Sequence, residues 1–153
     1  MANELPYWAE GTFIGNFHIV LAEKKLPVRN IRLSTHDTGR ILAHYVGSDG
    51  VPIVFRHAGK QGKRLRFNIL TAGFNFHGGI NSSNVLWLET DHLSPFQFEV
   101  LVATPTSLRG HLYAADGRRI GTEKLVLGAH HKRSEFHLMK IGATPCEFVI
   151  DRR

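Results

Sequence analysis

With 153 residues, 42% of them hydrophobic and 21% charged, the chain can bury a full core, which excludes a disordered polymer. No apolar run approaches the roughly 20 residues of a membrane helix, and Met1-Ala-Asn-Glu-Leu-Pro6 lacks the basic region and apolar core of a secretory signal. The single cysteine, Cys146, excludes an internal disulfide, fits a reducing cytoplasm and reads as a small buried apolar residue.

The net charge of +6 is unevenly spread. Between Lys24 and Leu88 stand ten basic residues against two acids, Asp37 and Asp49, and no carboxylate occurs between Asp49 and Glu89. A field of one sign draws in polyanions, and the phosphate backbone of nucleic acid is the commonest of these. A solvated basic face with no specific partner would carry the same charge.

In chain order, residues 6–11 suit a short helical turn. Phe13, Phe17, Ile19 and Leu21 then recur at strand spacing. Glu23-Lys24-Lys25 follows; Lys24 and Lys25 are candidate phosphate contacts. A strand at 30–33 and another at 41–46 flank Ser34, Thr35, His36, Asp37, Thr38, Gly39 and Arg40. Every side chain in that connection except Gly39 can hydrogen-bond, and Arg40 can fork onto a guanine edge or a phosphate. Ser48-Asp49-Gly50 carries a hairpin signal.

Next comes Arg56-His-Ala-Gly-Lys-Gln-Gly-Lys-Arg-Leu-Arg-Phe-Asn68. Gly59 and Gly62 predict a pliant loop bearing Lys60, Gln61 and Lys63. The strand after it alternates, so Leu65, Phe67 and Ile69 face a core while Arg64, Arg66 and Asn68 share the opposite face. Arg on guanine, Asn on adenine and Lys on phosphate are pairings that duplex readout uses. Asn75 to Asn84, with Gly78-Gly79, predicts a flexible loop; Asn81 is a further phosphate candidate. Val85 to Leu88 is apolar, and residues 89–95 suit a second helical turn. Phe96 to Ala103 alternates again, Ala115-Asp116-Gly117 is a hairpin signal, and strand spacing returns at 136–141 and at Phe148 and Ile150. His131, Lys132 and Arg133 form a last basic cluster. No linker, repeat or low-complexity tract divides residues 1–153, which read as one domain.

Arg32-Leu-Ser-Thr-His-Asp-Thr-Gly39, with His44 a few positions on, resembles the amino-terminal effector domains of type II restriction endonucleases, which are B-three-type DNA-binding pseudobarrels. The resemblance spans roughly residues 28–104. It differs at Ile41-Leu-Ala-His44, where the family usually ends on Gly-Gly-His. It implies a mainly β, seven- to eight-stranded open pseudobarrel with one or two short helices. It also implies two arms gripping the major groove of double-stranded DNA. The first arm would comprise Arg32, Ser34, Thr35, His36, Asp37, Thr38, Arg40 and His44. The second would comprise Lys60, Gln61, Lys63, Arg64, Arg66 and Asn68. The implied role is sequence-specific binding without catalysis or cofactor in a bacterial cytoplasm, any cleavage belonging to an attached nuclease domain.

Two alternatives remain from the residues. Phe67, Phe74 and Phe76 among basic residues suit a stacking platform for single-stranded DNA or RNA. Glu10 with Glu23-Lys24-Lys25 has the loose Glu-x-Lys form of a metal-dependent nuclease. The ten histidines lack the Cys or helical His partners of a zinc site, His130-His131 with His137 coming nearest.

Overall fold

The computed structural model describes residues 4–32, 40–71, 76–89, 93–128 and 133–153. A 3-10 turn at Tyr7–Glu10 precedes thirteen strands. These are β1 (Phe13–Leu21), β2 (Lys24–Pro27), β3 (Arg29–Arg32), β4 (Arg40–Tyr45), β5 (Ile53–Gln61), β6 (Arg64–Thr71) and β7 (His77–Ile80). They continue as β8 (Leu86–Glu89), β9 (Phe96–Ala103), β10 (Ser107–Tyr113), β11 (Ile120–Leu127), β12 (Ser134–Ile141) and β13 (Glu147–Arg152).

Six strands close a barrel in the order β6-β5-β1-β13-β10-β9, and β9 pairs back onto β6 from Arg64↔Glu99 to Phe67↔Phe96. The fold is thus mainly β, as expected, but the barrel is closed rather than open. Its strands far outnumber seven or eight. Closure gives every wall strand a partner on both sides, which removes free edges. The additional strands arise because three strands change partner along one edge. β1 pairs with β5 near its start and β2 near its end. β6 passes from β9 to β7, and β4 from β8 to β12. The outer strands β7-β8-β4-β12-β11 thereby extend the same hydrogen-bonded sheet, with β3 on the other edge of β4.

Alternation fills the barrel. Phe17, Phe55, Phe67, Phe96, Phe98 and Phe148 are each at most 1% exposed, and burying one such side chain is worth roughly 1.5–3 kcal/mol. Phe13 stacks on Phe55 with ring centres 5.1 Å apart, and Phe17 on Phe148 at 5.5 Å. The 3-10 turn places Trp8 edge-on against Phe13, and the Trp8 indole N–H donates to the Pro105 carbonyl at 2.8 Å. A smaller apolar cluster of Ile41, Ala43, Val85, Phe136 and Leu138 ties the outer strands together.

Two turn assignments change. Between β4 and β5 the hydrogen-bonded turn is Tyr45–Ser48, with Gly47 at φ 87°, and these strands do not pair with each other. Ser48-Asp49-Gly50 therefore closes no hairpin. Gly78-Gly79 is not a flexible loop but the middle of β7. A Cβ on Gly78 would press on the Phe96 ring and Ile69, and one on Gly79 would lie 2.8 Å from the Glu89 carboxylate. These glycines allow close packing. The signal at Ala115-Asp116-Gly117 does mark a turn, closed by Gly117 N–H to the Ala114 carbonyl with Gly117 at φ 90°.

Candidate nucleic-acid interface

The basic segment 56–68 forms a tight hairpin rather than a loop. β5 runs to Gln61, β6 begins at Arg64, and the pair Gln61↔Arg64 leaves a two-residue turn, Gly62-Lys63. Gly62 has φ 60°, as the first central position of a type II′ turn requires. A bulge interrupts the register between His57 and Lys60, where Gly59 sits at φ 96°. Bulges of this kind increase local twist and re-aim side chains.

Leu65, Phe67 and Ile69 are 1% exposed and anchor the inner face of β6. Arg64 and Arg66 point outward, as alternation predicts. Asn68 departs from the expected exposed row: it is 9% exposed, and its Oδ1 is buried without a hydrogen bond. The register Arg56↔Asn68 brings exposed Arg56 to the same face, diagonal to Arg66. Only pairing across the hairpin shows this, so Arg56 is missing from the residues that β6 alone suggests.

Arg64 is held inside the protein's own polar network. Its guanidinium lies 3.6 Å from the Tyr113 ring centre and donates to Gln97 Oε1 at 3.1 Å. Gln97 in turn donates to the Ala115 carbonyl at 3.0 Å. Tyr113 donates its hydroxyl proton to Glu99, and His111 Nδ1 bonds the same carboxylate, both at 3.0 Å. Hydrogen bonds from His111 and Tyr113, with the positive charge of Arg64, lower the pKa of Glu99. The acid-free stretch of sequence therefore meets an acid in space. Lys60 likewise pairs with Glu10. Among the described residues, Arg56, Lys63 and Arg66 make no ion pair.

The other expected arm is the connection between β3 and β4. Ser34, Thr35, His36, Asp37 and Thr38 lie outside the described residues. Its flanks are Arg32 and Arg40, directly opposite each other across the two strands. Arg40 stacks over Phe76 with its guanidinium carbon 4.9 Å from the ring centre. His44 is turned inward and is 6% exposed. Its Nδ1 bonds the Pro27 carbonyl at 2.8 Å, and its ring stacks on His137 at 5.8 Å. It is not presented to a base edge. Arg40 and the β5–β6 turn stand apart: the Phe76 beneath Arg40 accepts a hydrogen bond from Thr71, the last residue of β6, while Lys63 precedes the first. Eight strand residues separate those ends by roughly 23 Å at about 3.3 Å each.

Of the rim candidates, Lys24 and Arg133 are exposed. Lys25 is paired with Asp151. Asn81 caps its own turn, its Oδ1 accepting from Ser83 and Val85 N–H at 2.9 and 3.0 Å. His131 and Lys132 lie outside the described residues, as does His130.

The residues behind the alternatives are scattered. Phe67 is buried and Phe76 lies under Arg40, while Phe74 is outside the described residues. Glu10 and Glu23 fall at opposite ends of β1, Glu10 on Lys60 and Glu23 beside Arg109. Among the described residues, no group of three or more His, Cys, Asp or Glu side chains is placed to hold a metal ion, and no helix is long and apolar enough to cross a membrane. Burial pushes the Cys146 thiol up to about 11, so it stays protonated.

Compared with known proteins, the chain matches no family model, no curated protein and no solved structure.

Proposed function

We propose that this protein binds double-stranded DNA, with the outer face of the β5–β6 hairpin as its principal contact. The observation that carries the reading is the trio Arg56, Lys63 and Arg66. These cations make no ion pair among the described residues and stand on a strand pair fixed by Leu65, Phe67 and Ile69. Cations on a rigid support lose little freedom when they meet a phosphate or a guanine edge. The β3–β4 connection, flanked by the opposed Arg32 and Arg40, supplies the second contact.

The resemblance of Arg32 to Gly39 to restriction-enzyme effector domains supports sequence reading in the major groove. Cleavage then belongs to a separate nuclease domain. His44 and Asn68 are left out of the contact set because both are buried. Fluorescence anisotropy with a random duplex, the matching single strand and RNA tests the proposal. Tighter binding to duplex is expected, weakened by Arg56→Ala and Arg66→Ala. Equal or tighter binding to single strands overturns it.

A further inference from the structure

A surface cavity of about 260 Å³ opens beneath the β1–β2 turn, between β10 and the segment leading into β13. Its polar lining comes from Glu23, Arg109, His111, Arg119 and Glu147, with Cys146 beside them. Three observations mark it. The first is the turn. Leu21↔Lys24 leaves two residues, Ala22 and Glu23, both left-handed at φ 48° and 62°. Such a turn normally takes Asn-Gly, because side chains crowd the left-handed backbone. Strain of this kind tends to be kept at functional sites. Here it holds Glu23 at the cavity mouth, 83% exposed, with a carboxylate oxygen 3.4 Å from Arg109 Nη2.

The second observation is how the charges match. Arg109 has a firm partner in Glu147, against which its Nε–H donates. Glu99 is occupied by His111 and Tyr113. The Arg119 guanidinium has no carboxylate among the described residues; its only hydrogen bond to them is a long one, Nη2 to the Cys146 carbonyl at 3.3 Å. The third observation is that the Nε–H of Arg119 is buried without an acceptor. A buried guanidinium donor left unpaired is costly, and the planar fork of Arg is shaped for a carboxylate or phosphate. The adjacent Cys146 thiol remains neutral and offers no counter-charge.

We propose that this cavity binds a small oxyanion, a phosphate or carboxylate group, forked onto Arg119 and shared with Arg109, for which Glu23 competes. Neutralising Glu23 then strengthens the site, and removing the Arg119 fork abolishes it. The test is thermal unfolding and isothermal titration with inorganic phosphate and with acetate, each against chloride at matched ionic strength. The unaltered protein is expected to gain stability with phosphate or acetate beyond chloride. Phosphate alone acting assigns a phosphate group, acetate alone a carboxylate, and both acting a general oxyanion site. Arg119→Gln should erase the gain. Glu23→Gln should tighten binding severalfold without touching the fork. If Arg119→Gln does not fold, Arg119→Lys keeps the charge, loses the planar fork and should bind at least tenfold more weakly. A response equal to that of chloride, a gain retained without the Arg119 fork, or unchanged affinity in Glu23→Gln overturns the proposal.

Discussion

The guanidinium of Arg64 packs 3.6 Å from the centre of the Tyr113 ring, and that ring's hydroxyl donates to Glu99, the residue opposite Arg64 in the neighbouring strand. Arg64 is thus a brace between barrel strands. Arg64→Ala should lower stability by about 1–3 kcal/mol, the range for a stacked, hydrogen-bonded cation. Arg64→Lys should not restore it, since Lys neither stacks as a plane nor forks. Urea unfolding measures both. DNA affinity should fall less than with Arg66→Ala.

Arg56→Ala and Arg66→Ala should each flatten the plot of log affinity against log salt. The slope should become shallower by about 0.9 for each phosphate that the variant no longer neutralises. Arg66→Ala should also lose discrimination worth roughly 1–3 kcal/mol if its guanidinium reads a guanine. Anisotropy titrations from low to moderate salt separate the two effects.

Mild acid should weaken the fold through two desolvated histidines. Burial lowers the pKa of His18, with Lys25 adding to it, and burial lowers that of His137, with His44 and Lys124 adding to it. Both histidines resist protonation in the folded state and accept it near pH 6.5 once unfolded. Their contribution is therefore complete above pH 6.5 and is lost as pH falls through the lowered native values. Melting temperatures should hold above about pH 7 and decline as pH falls below 6.5, and His137→Gln should make that decline shallower.

Gly110→Ala should be among the most damaging single changes. A Cβ there would overlap the Glu99 carbonyl oxygen, where β9 and β10 meet at a register shift. Backbone stands in the way and cannot rotate aside. The expected loss is about 3 kcal/mol or more, read as a shift in the urea midpoint.

Cys146 should resist thiol reagents while the protein is folded. With its pKa raised to about 11 by burial, almost no thiolate exists at pH 8. Labelling should run at least a hundredfold slower, in order of magnitude, than in urea, where an ordinary thiol pKa returns. Equal rates would mean the thiol is exposed.

Strand character was legible in some of the longer strands with a buried face, though Ile53–Gln61, Ser107–Tyr113 and Ile120–Leu127 went unread. Leu65, Phe67 and Ile69 announce β6, and Phe96 and Phe98 announce β9. Two of the short strands escaped. His77–Ile80 holds two glycines whose bare backbone reads as a loop until Phe96 and Glu89 are seen against it. Lys24–Pro27 is too short to show alternation, whereas Arg29–Arg32 falls where a strand was expected, at 30–33. Frequent turns pointed to a closed or nearly closed barrel, but which strands close it was not legible, because the pairing of Arg64 with Glu99 joins residues 35 positions apart. The same separation hid the partners of the basic face. The charge of Arg64 was plain in the sequence, but Gln97, Glu99 and Tyr113 reach it only through the fold. Asn68 and His44 carry the right chemistry for base contact, and no pattern along the chain shows that the fold buries them.

The pairing of β1 with β13 sets a schedule for making this protein. Phe17 meets Ile150 and Ile19 meets Phe148 across that seam, so the first wall strand waits for the last. During synthesis a ribosome must release Glu147–Arg152 before the barrel can close. Until then the aromatic faces of β1, β5 and β6 lack the wall strand β13, and the unpaired backbone edge of β1 stands open to other chains. Factors that shield nascent apolar strands should therefore govern the yield of folded protein more than the stability of the finished barrel does.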